Sequence, residues 1–114
     1  MLKSWINFLK KFKPIKISNP AEIDLKNIAD YTSKEWGELQ KNAYLALFKQ
    51  SFISLSQNQG SNKTSLLIKD RKHIDMGLWS YGVKKHVVYF RETEHELLIV
   101  RILHARMDPE KHLF

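Results

Sequence analysis

The last quarter of the chain limits its fold more than any other part. Two apolar runs, 85–91 and 97–103, are each long enough for one strand, and a short polar segment separates them. Val, Ile, Tyr and Phe favour strands, and so short a connection joins neighbouring antiparallel strands. Two further runs of this kind, 65–69 and 73–81, precede them. The sequence therefore predicts an antiparallel meander of three to four strands.

Two helical segments precede these strands. Asn19 can cap the first helix, Pro20 suits its first position, and Glu22 can reach back to the cap. We expect this helix to run from Pro20 to about Trp36, with one apolar stripe: Leu25, Ile28, Ala29, Thr32 and Trp36. A second stripe begins soon after Gly37 and consists of Ala43, Tyr44, Leu47, Phe48, Ser51, Phe52 and Leu55. Two long helices joined this closely form an antiparallel hairpin that covers one face of the sheet.

The N-terminal residues divide into an extension and a short strand. Residues 1–13 carry apolar side chains at helical spacing among four lysines: Leu2, Trp5, Ile6, Leu9 and Phe12. This predicts a basic amphipathic helix that packs on the domain or a second copy, binds a membrane surface or an acidic partner, or is a loose tail. Residues 15–18 alternate and predict a strand. We expect an α+β domain over 14–114, preceded by the extension over 1–13.

Composition narrows the class of protein. The chain has 114 residues, no cysteine and a net charge of +7. It is long enough for one core, excludes disulfides and thiolate metal sites, and suits a reducing cytoplasm. Its apolar runs are shorter than the ~20 residues that span a bilayer. The positive charge, concentrated in 1–13 and 63–91, favours a polyanion or an acidic protein as partner.

Motifs for metal, phosphate or nucleophilic chemistry are not found in the sequence. The five histidines lack the i, i+3 or i, i+4 pairing of helical metal ligands, and the four glycines stand singly. We therefore expect no metal and no cofactor. Four aromatic residues lie near basic side chains that include Lys84 and Lys85, and they could stack on nucleic-acid bases or fill the core: Trp79, Tyr81, Tyr89 and Phe90.

The chain end carries the most concentrated group of candidate binding residues. Strand alternation places Arg101 on one face with Ile99 and Leu103, where its charge needs a partner. The candidate carboxylates are Asp24, Asp75 and Asp108. His104, Arg106 and Met107 follow at the end of the strand, where binding residues are often presented. Asp108 is expected to cap a short helix beginning at Pro109, and both binding and structural roles stay open for the other side chains.

The order of these motifs resembles the ParE branch of the ParE/RelE toxin superfamily. The matching residues span roughly 14 to 114 and end in the segment RILHARMD: Asp24-Leu25, Ile28-Ala29, Tyr31, Trp36-Gly37, Ala43, Tyr44, Phe52, Gly77-Leu78, Tyr89, Arg91, Arg101, His104, Arg106, Met107 and Asp108. The chain differs from the family pattern at Trp79, Ala105 and Ser61. The resemblance implies a strand, two helices and an antiparallel sheet crossed by the chain end.

The resemblance also implies a function. Proteins of this branch are toxins of type II toxin–antitoxin pairs that arrest DNA gyrase in its DNA-cleaved state. A ParD-like antitoxin wraps the helical hairpin and sheet, and the hetero-oligomer represses its promoter through the antitoxin, so no sequence-specific DNA binding by this chain is expected. The candidates for binding the target are Arg91, Arg101, His104, Arg106 and Met107. The candidates for binding the antitoxin are Trp36, Tyr44, Phe48, Trp79 and Tyr89.

The related RelE branch provides an alternative function, ribosome-dependent cleavage of mRNA. That reaction needs a general base, a general acid and cations at the phosphate. The residues that could supply them are Arg91, Arg101, His104, Arg106 and His112. The chain end resembles ParE more closely, so the sequence favours a non-enzymatic gyrase poison over an endoribonuclease.

Overall fold

The computed structural model describes residues 14–57, 68–69 and 78–113. The helices are α1 (Asn19–Trp36), α2 (Glu38–Gln57) and α3 (Pro109–Leu113). The strands are β1 (Ile15–Ile17), β2 (Ile68–Lys69), β3 (Trp79–Val83), β4 (His86–Glu92) and β5 (Leu97–His104). This order confirms the predicted α+β fold with its helical hairpin and C-terminal meander. Over these residues, no helix is long and apolar enough to cross a membrane.

The strands form one mixed sheet with the order β1-β5-β4-β3-β2. Strands β2 to β5 are antiparallel neighbours, as predicted. Strand β1 adds a parallel edge, with Ile15 opposite Leu97 and Ile17 opposite Ile99. The first and last parts of the domain therefore meet in one sheet. Several predictions lie outside the described residues: the helix in 1–13, the strand segments 65–67 and 73–77, Ser61 and the candidate partner Asp75.

Helix α1 is capped by a serine that also binds the sheet. The Ser18 hydroxyl accepts a hydrogen bond from the Ala21 amide at 3.1 Å and donates one to the Val100 carbonyl at 2.6 Å. The predicted cap at Asn19 was wrong by one residue, because Asn19 is already helical and Ser18 occupies the cap position. Pro20 lies in the first turn, where its missing amide hydrogen costs no helical hydrogen bond.

Glycine separates the two helices of the hairpin. Gly37 ends α1 with a φ of 89°, and its amide donates to the Ser33 carbonyl at 2.9 Å. Helix α2 begins at the next residue. A residue with a Cβ is strained at such a φ, so the sharp reversal depends on glycine.

The core lies between the hairpin and one face of the sheet. Its buried members include Leu25, Ile28, Phe48, Phe52, Leu55, Val88, Phe90, Leu97, Ile99 and Ile102. The predicted α1 stripe is confirmed except for Trp36, which is 70% exposed at the tip of the hairpin. The predicted α2 stripe was wrong at Ala43 and Leu47, which are exposed, and it omitted the buried Leu45 and Ile53.

The opposite face of the sheet has a smaller apolar cluster. Val87, Tyr89 and Leu103 are buried there, and Leu113 of α3 packs against them. The chain end therefore crosses the face that the hairpin leaves uncovered. This placement agrees with the layout implied by the family resemblance.

Replacing Gly37 by alanine should destabilise the domain by about 1 kcal/mol, because the positive φ disfavours a Cβ. Urea denaturation would measure this change. Gly82→Ala is the matched control, since no heavy atom lies within 4 Å of its added Cβ and its φ is not in the left-handed region. Equal stability of the two variants would contradict the assigned role of Gly37.

Candidate functional site

An ion pair joins α1 to the edge of β5. Arg101 donates from Nε and Nη2 to the two carboxylate oxygens of Asp24, at 2.8 and 3.0 Å. The Ile102 amide donates to the same carboxylate at 2.9 Å. Arg101 also donates from Nη1 to the His112 carbonyl at 3.0 Å. The hydrogen bonds to Asp24 raise the pKa of Arg101. Asp24 is therefore the predicted carboxylate that pairs with Arg101 in the structure.

A β-bulge determines which face Arg101 occupies. In the β4–β5 register, Tyr89 faces Arg101 whereas Phe90 faces Ile99, so Val100 is the extra residue. Ile99 belongs to the core beneath the helices. The prediction that Ile99 and Arg101 share a face was therefore wrong, because a bulge interrupts strict alternation. Leu103 lies in the cluster on the opposite face, as Tyr89 does.

A cluster of aromatic rings lies between the hairpin and the ends of β4 and β5. The Tyr44 hydroxyl is 2.5 Å from Nδ1 of His86. The His86 ring is also 6.0 Å from the Phe48 ring and 5.3 Å from the His104 ring, measured between centroids. Burial, followed by the nearby His104, lowers the pKa of His86 to about 4. His86 is therefore neutral near pH 7.

The residues after β5 form a turn that is fixed by backbone hydrogen bonds. The Ala105 amide donates to the Lys85 carbonyl at 2.8 Å, and the Arg106 amide donates to Nδ1 of His104 at 3.1 Å. Arg106 and Met107 are exposed beyond this turn. Ala105 does not have a positive φ, so alanine carries no left-handed strain there. We call Arg106 and Met107 the tail surface.

The predicted cap of the last helix is confirmed. The Asp108 carboxylate accepts a hydrogen bond from the Glu110 amide at 3.0 Å, directly before the helical residues Pro109–Leu113. This cap fixes the direction of α3, whose Leu113 reaches the cluster on the outer face of the sheet. Asp108 therefore has a structural contact that accounts for its position.

An open groove of about 770 Å³ lies between the hairpin and the β3–β4 turn. Its lining comprises Asn27, Ile28, Tyr31, Thr32, Trp36, Gln40, Ala43, Tyr44, Leu47, Lys84, Lys85, His86 and His104. Tyr31 is 65% exposed and Trp36 is 70% exposed. Lys84 and Lys85 are the charged members of this lining, which contains no carboxylate. The groove therefore combines an apolar, aromatic wall with a positive end.

The five predicted target-binding residues do not form one patch. Arg91 is exposed on β4, and Arg101 lies beside Tyr89 on the same outer face of the sheet. His104 instead lines the groove on the hairpin side. Arg106 and Met107 lie at the turn between these faces. Their role in target binding stays a prediction.

The five predicted antitoxin-binding residues divide by exposure. Trp36 and Tyr44 line the groove. Phe48 is completely buried beneath it, and Tyr89 is 2% exposed in the outer cluster. Trp79 is partly buried and packs against the core. Only Trp36 and Tyr44 among the five lie on the groove, and antitoxin binding by this set stays a prediction.

Comparison with known proteins identifies the family. A family model for the ParE toxin of the type II toxin–antitoxin system parDE matches residues 15–109. The chain belongs to the ParE toxin family. Toxin ParE of Escherichia coli is 34% identical over 89 residues, which cover 77% of this chain and 81% of that protein. Toxin ParE1 of Caulobacter vibrioides is 25% identical over 101 residues, which cover 89% and 98% of the two chains.

The fold also resembles a solved structure of this kind. The chromosomal ParDE TA system from P. aeruginosa contains a chain that superposes with a TM-score of 0.60 at 21% identity. The match covers 79% of this chain and 92% of the other. At this level of identity the likeness supports the fold, and the family model supports the assignment as a type II toxin of ParE type.

Sequence reasoning missed three residues of this ParE-family chain that the structure places at the groove. His86 was considered only as a metal ligand, and Lys84 and Lys85 only as contacts to nucleic acid. Two adjacent lysines close to the boundary between two predicted strands were a usable signal, because the turn that joins β3 and β4 presents both lysines at one end of the sheet. Over the described residues, no group of three His, Cys, Asp or Glu side chains could hold a metal ion.

Removing the carboxylate in Asp24→Ala should destabilise the domain by about 3 kcal/mol, because Arg101 and the Ile102 amide lose their partner in a half-buried site. Chemical denaturation would measure the change. Asp30→Ala on the same helix is the control, and we expect it to lie within about 0.5 kcal/mol of the wild type since Asp30 is exposed. A similarly small effect at Asp24 would show that the pair contributes little.

Stability should fall as the pH is lowered from about 6.5 to about 4. His86 binds a proton less readily in the folded state, so the unfolded chain takes up more protons in this window and protonation favours unfolding. Melting temperatures across the window should decrease less in His86→Phe than in wild type. His95→Gln, at an exposed position, is the control and should keep the wild-type slope. Parallel curves for wild type and His86→Phe would exclude His86 as the source.

Proposed function

We propose that this chain poisons DNA gyrase in the cytoplasm and is neutralised by a ParD-like antitoxin. Its membership of the ParE toxin family over residues 15–109 supports the proposal. The observation that carries it is the fixed presentation of the tail surface. Arg106 and Met107 project from a turn whose neighbouring amides are bound by the Lys85 carbonyl and the His104 ring.

The tail surface suits recognition of a protein target. Arginine and methionine are enriched at the centres of protein interfaces, and a held backbone reduces the entropy lost on binding. Arg106 makes its backbone contact to His104, while its side chain is exposed. A gyrase surface could therefore be engaged without unfolding the chain end.

The groove suits an antitoxin segment. Its apolar wall includes Ile28, Tyr31 and Leu47, and its charged residues are lysines. An acidic, partly disordered segment could fold against such a wall, as in helix-in-groove recognition. His104 lines the groove and also fixes the turn at Arg106. An antitoxin in the groove would therefore lie beside the tail surface.

The contacts of Arg101 favour poisoning over RNA cleavage. In a nuclease, Arg101 would stabilise the negative charge that develops on the phosphate during cleavage. All three guanidinium nitrogens instead donate to Asp24 or to the His112 carbonyl. Binding a phosphate would break this arrangement at a cost to stability. The geometry therefore supports a structural role for Arg101 in the proposed toxin.

Gyrase incubated with the purified chain, plasmid and ATP should accumulate linear, protein-linked DNA, whereas mRNA in a translation extract should remain intact. Arg106→Ala should reduce this cleavage by about tenfold or more, as expected for a central interface arginine. Lys26→Ala, at an exposed position outside the groove lining, is the control and should retain wild-type activity.

Intact plasmid together with mRNA cut in the translation extract would replace gyrase poisoning with ribosome-dependent cleavage. If Arg106→Ala caused as much DNA cleavage by gyrase as the wild type, the target-binding surface would lie outside the tail surface. Circular dichroism of each variant would show that the comparison is between folded proteins.

A further inference from the structure

The charged residues of the groove are confined to its sheet end. Lys84 and Lys85 form the two-residue turn between β3 and β4, where Val83 pairs with His86. Both lysine side chains are exposed. The remaining lining is apolar, aromatic, amide or hydroxyl in character apart from His86 and His104. Trp36 and Gln40 come from the hairpin, next to its junction at Gly37. The groove is therefore electrically asymmetric, with its positive charge on the side that the sheet contributes.

Lys84 adopts a backbone conformation that lysine disfavours. Its φ is 53°, and over the described residues it is the one non-glycine residue with a positive φ. Glycine and asparagine are the usual residues in such turns because a Cβ is crowded there. Lysine at this position gains no neighbouring carboxylate within the groove lining. The cost is offset if the cation contacts an external partner.

We propose that Lys84 and Lys85 determine the specificity of the groove by selecting an amphipathic helix with carboxylates at the end that meets the β3–β4 turn. The apolar face of this helix would cover Ile28, Tyr31 and Leu47, which the hairpin contributes to the lining. Opposite charges would set the direction of the helix, because a reversed helix would leave its carboxylates away from the lysines.

Charge opposes two other occupants of the groove. Residues 1–13 carry four lysines and no carboxylate, so this segment would place like charges beside Lys84 and Lys85. A second copy of the chain, with a net charge of +7, is opposed on the same ground. The inference rests on the proposed function in one respect, namely that the acidic helix belongs to an antitoxin.

The test uses two fluorescein-labelled peptides of about 14 residues, long enough to follow the lined part of α1. Both have the same leucine face, and they differ in carrying glutamates or lysines at one end. Fluorescence anisotropy at physiological salt should show the acidic peptide binding to the full chain about tenfold more tightly than the basic one. Equal binding of the two peptides, or binding of neither, would overturn the proposal.

Charge reversal tests the two lysines directly. Lys84→Glu combined with Lys85→Glu should lower the affinity for the acidic peptide by about tenfold or more and raise the affinity for the basic peptide. Lys26→Glu combined with Lys111→Glu changes the net charge equally at exposed positions outside the groove lining. This control should bind both peptides as wild type does. If both double variants lost affinity for the acidic peptide equally, net charge alone would explain the effect and the assignment of Lys84 and Lys85 would be overturned.

A third variant separates binding from folding. Lys84→Gly should raise the melting temperature, because glycine accepts the positive φ. It should also lower the affinity for the acidic peptide by about threefold. Unchanged affinity in this folded variant would exclude Lys84 from the interface. Because the peptide assay contains no gyrase, failure of the gyrase experiment would leave these results unchanged, and failure here would leave gyrase poisoning standing.

Discussion

The carboxylate of Asp24 is the contact on which the arrangement of helix, sheet and chain end depends. It binds two guanidinium nitrogens of Arg101 and the Ile102 amide, 77 and 78 residues away along the chain. The amide lies on the part of β5 beyond the residues that pair with β1. One side chain thus neutralises a charge and satisfies an edge donor. Arg101 extends the connection to α3 through the His112 carbonyl.

The end of β5 connects the two surfaces discussed for function. His104 contributes to the groove wall, and its ring accepts a hydrogen bond from the Arg106 amide. The neighbouring His86 ring is hydrogen-bonded to the Tyr44 hydroxyl. The groove and the tail surface therefore adjoin at the end of β5. A ligand in the groove would restrict access to the turn by proximity, without a change in the fold.

Periodicity in the sequence predicts the helices and strands well, because each buries a continuous face. It fails where a single contact shifts a boundary or a face. Ser18 replaces Asn19 as the cap because its hydroxyl also reaches Val100. The bulge at Val100 places the side chains of Arg101 and Ile99 on different faces of the sheet, although strict alternation would place them on the same face. Local patterns carry no information about such long-range contacts.

The candidate site was predicted less completely than the fold. The sequence shows Arg106 and Met107 shortly after a predicted strand, and the structure leaves both exposed. The groove arises from three separated segments, so no local motif marks it. His86 illustrates the difficulty, since its lowered pKa follows from burial and from His104, which is distant in sequence. These properties appear only when the sheet is assembled.

Parallel pairing of β1 with β5 has a consequence for synthesis of the protein. Ser18 bonds to Val100 across 82 residues, so the N-terminal strand waits for the last strand to leave the ribosome. At usual elongation rates this delay is on the order of several seconds. During that time the segment that becomes the hairpin has no sheet against which to bury its apolar residues. The nascent chain therefore passes through a stage in which these residues are accessible to chaperones before the finished domain forms.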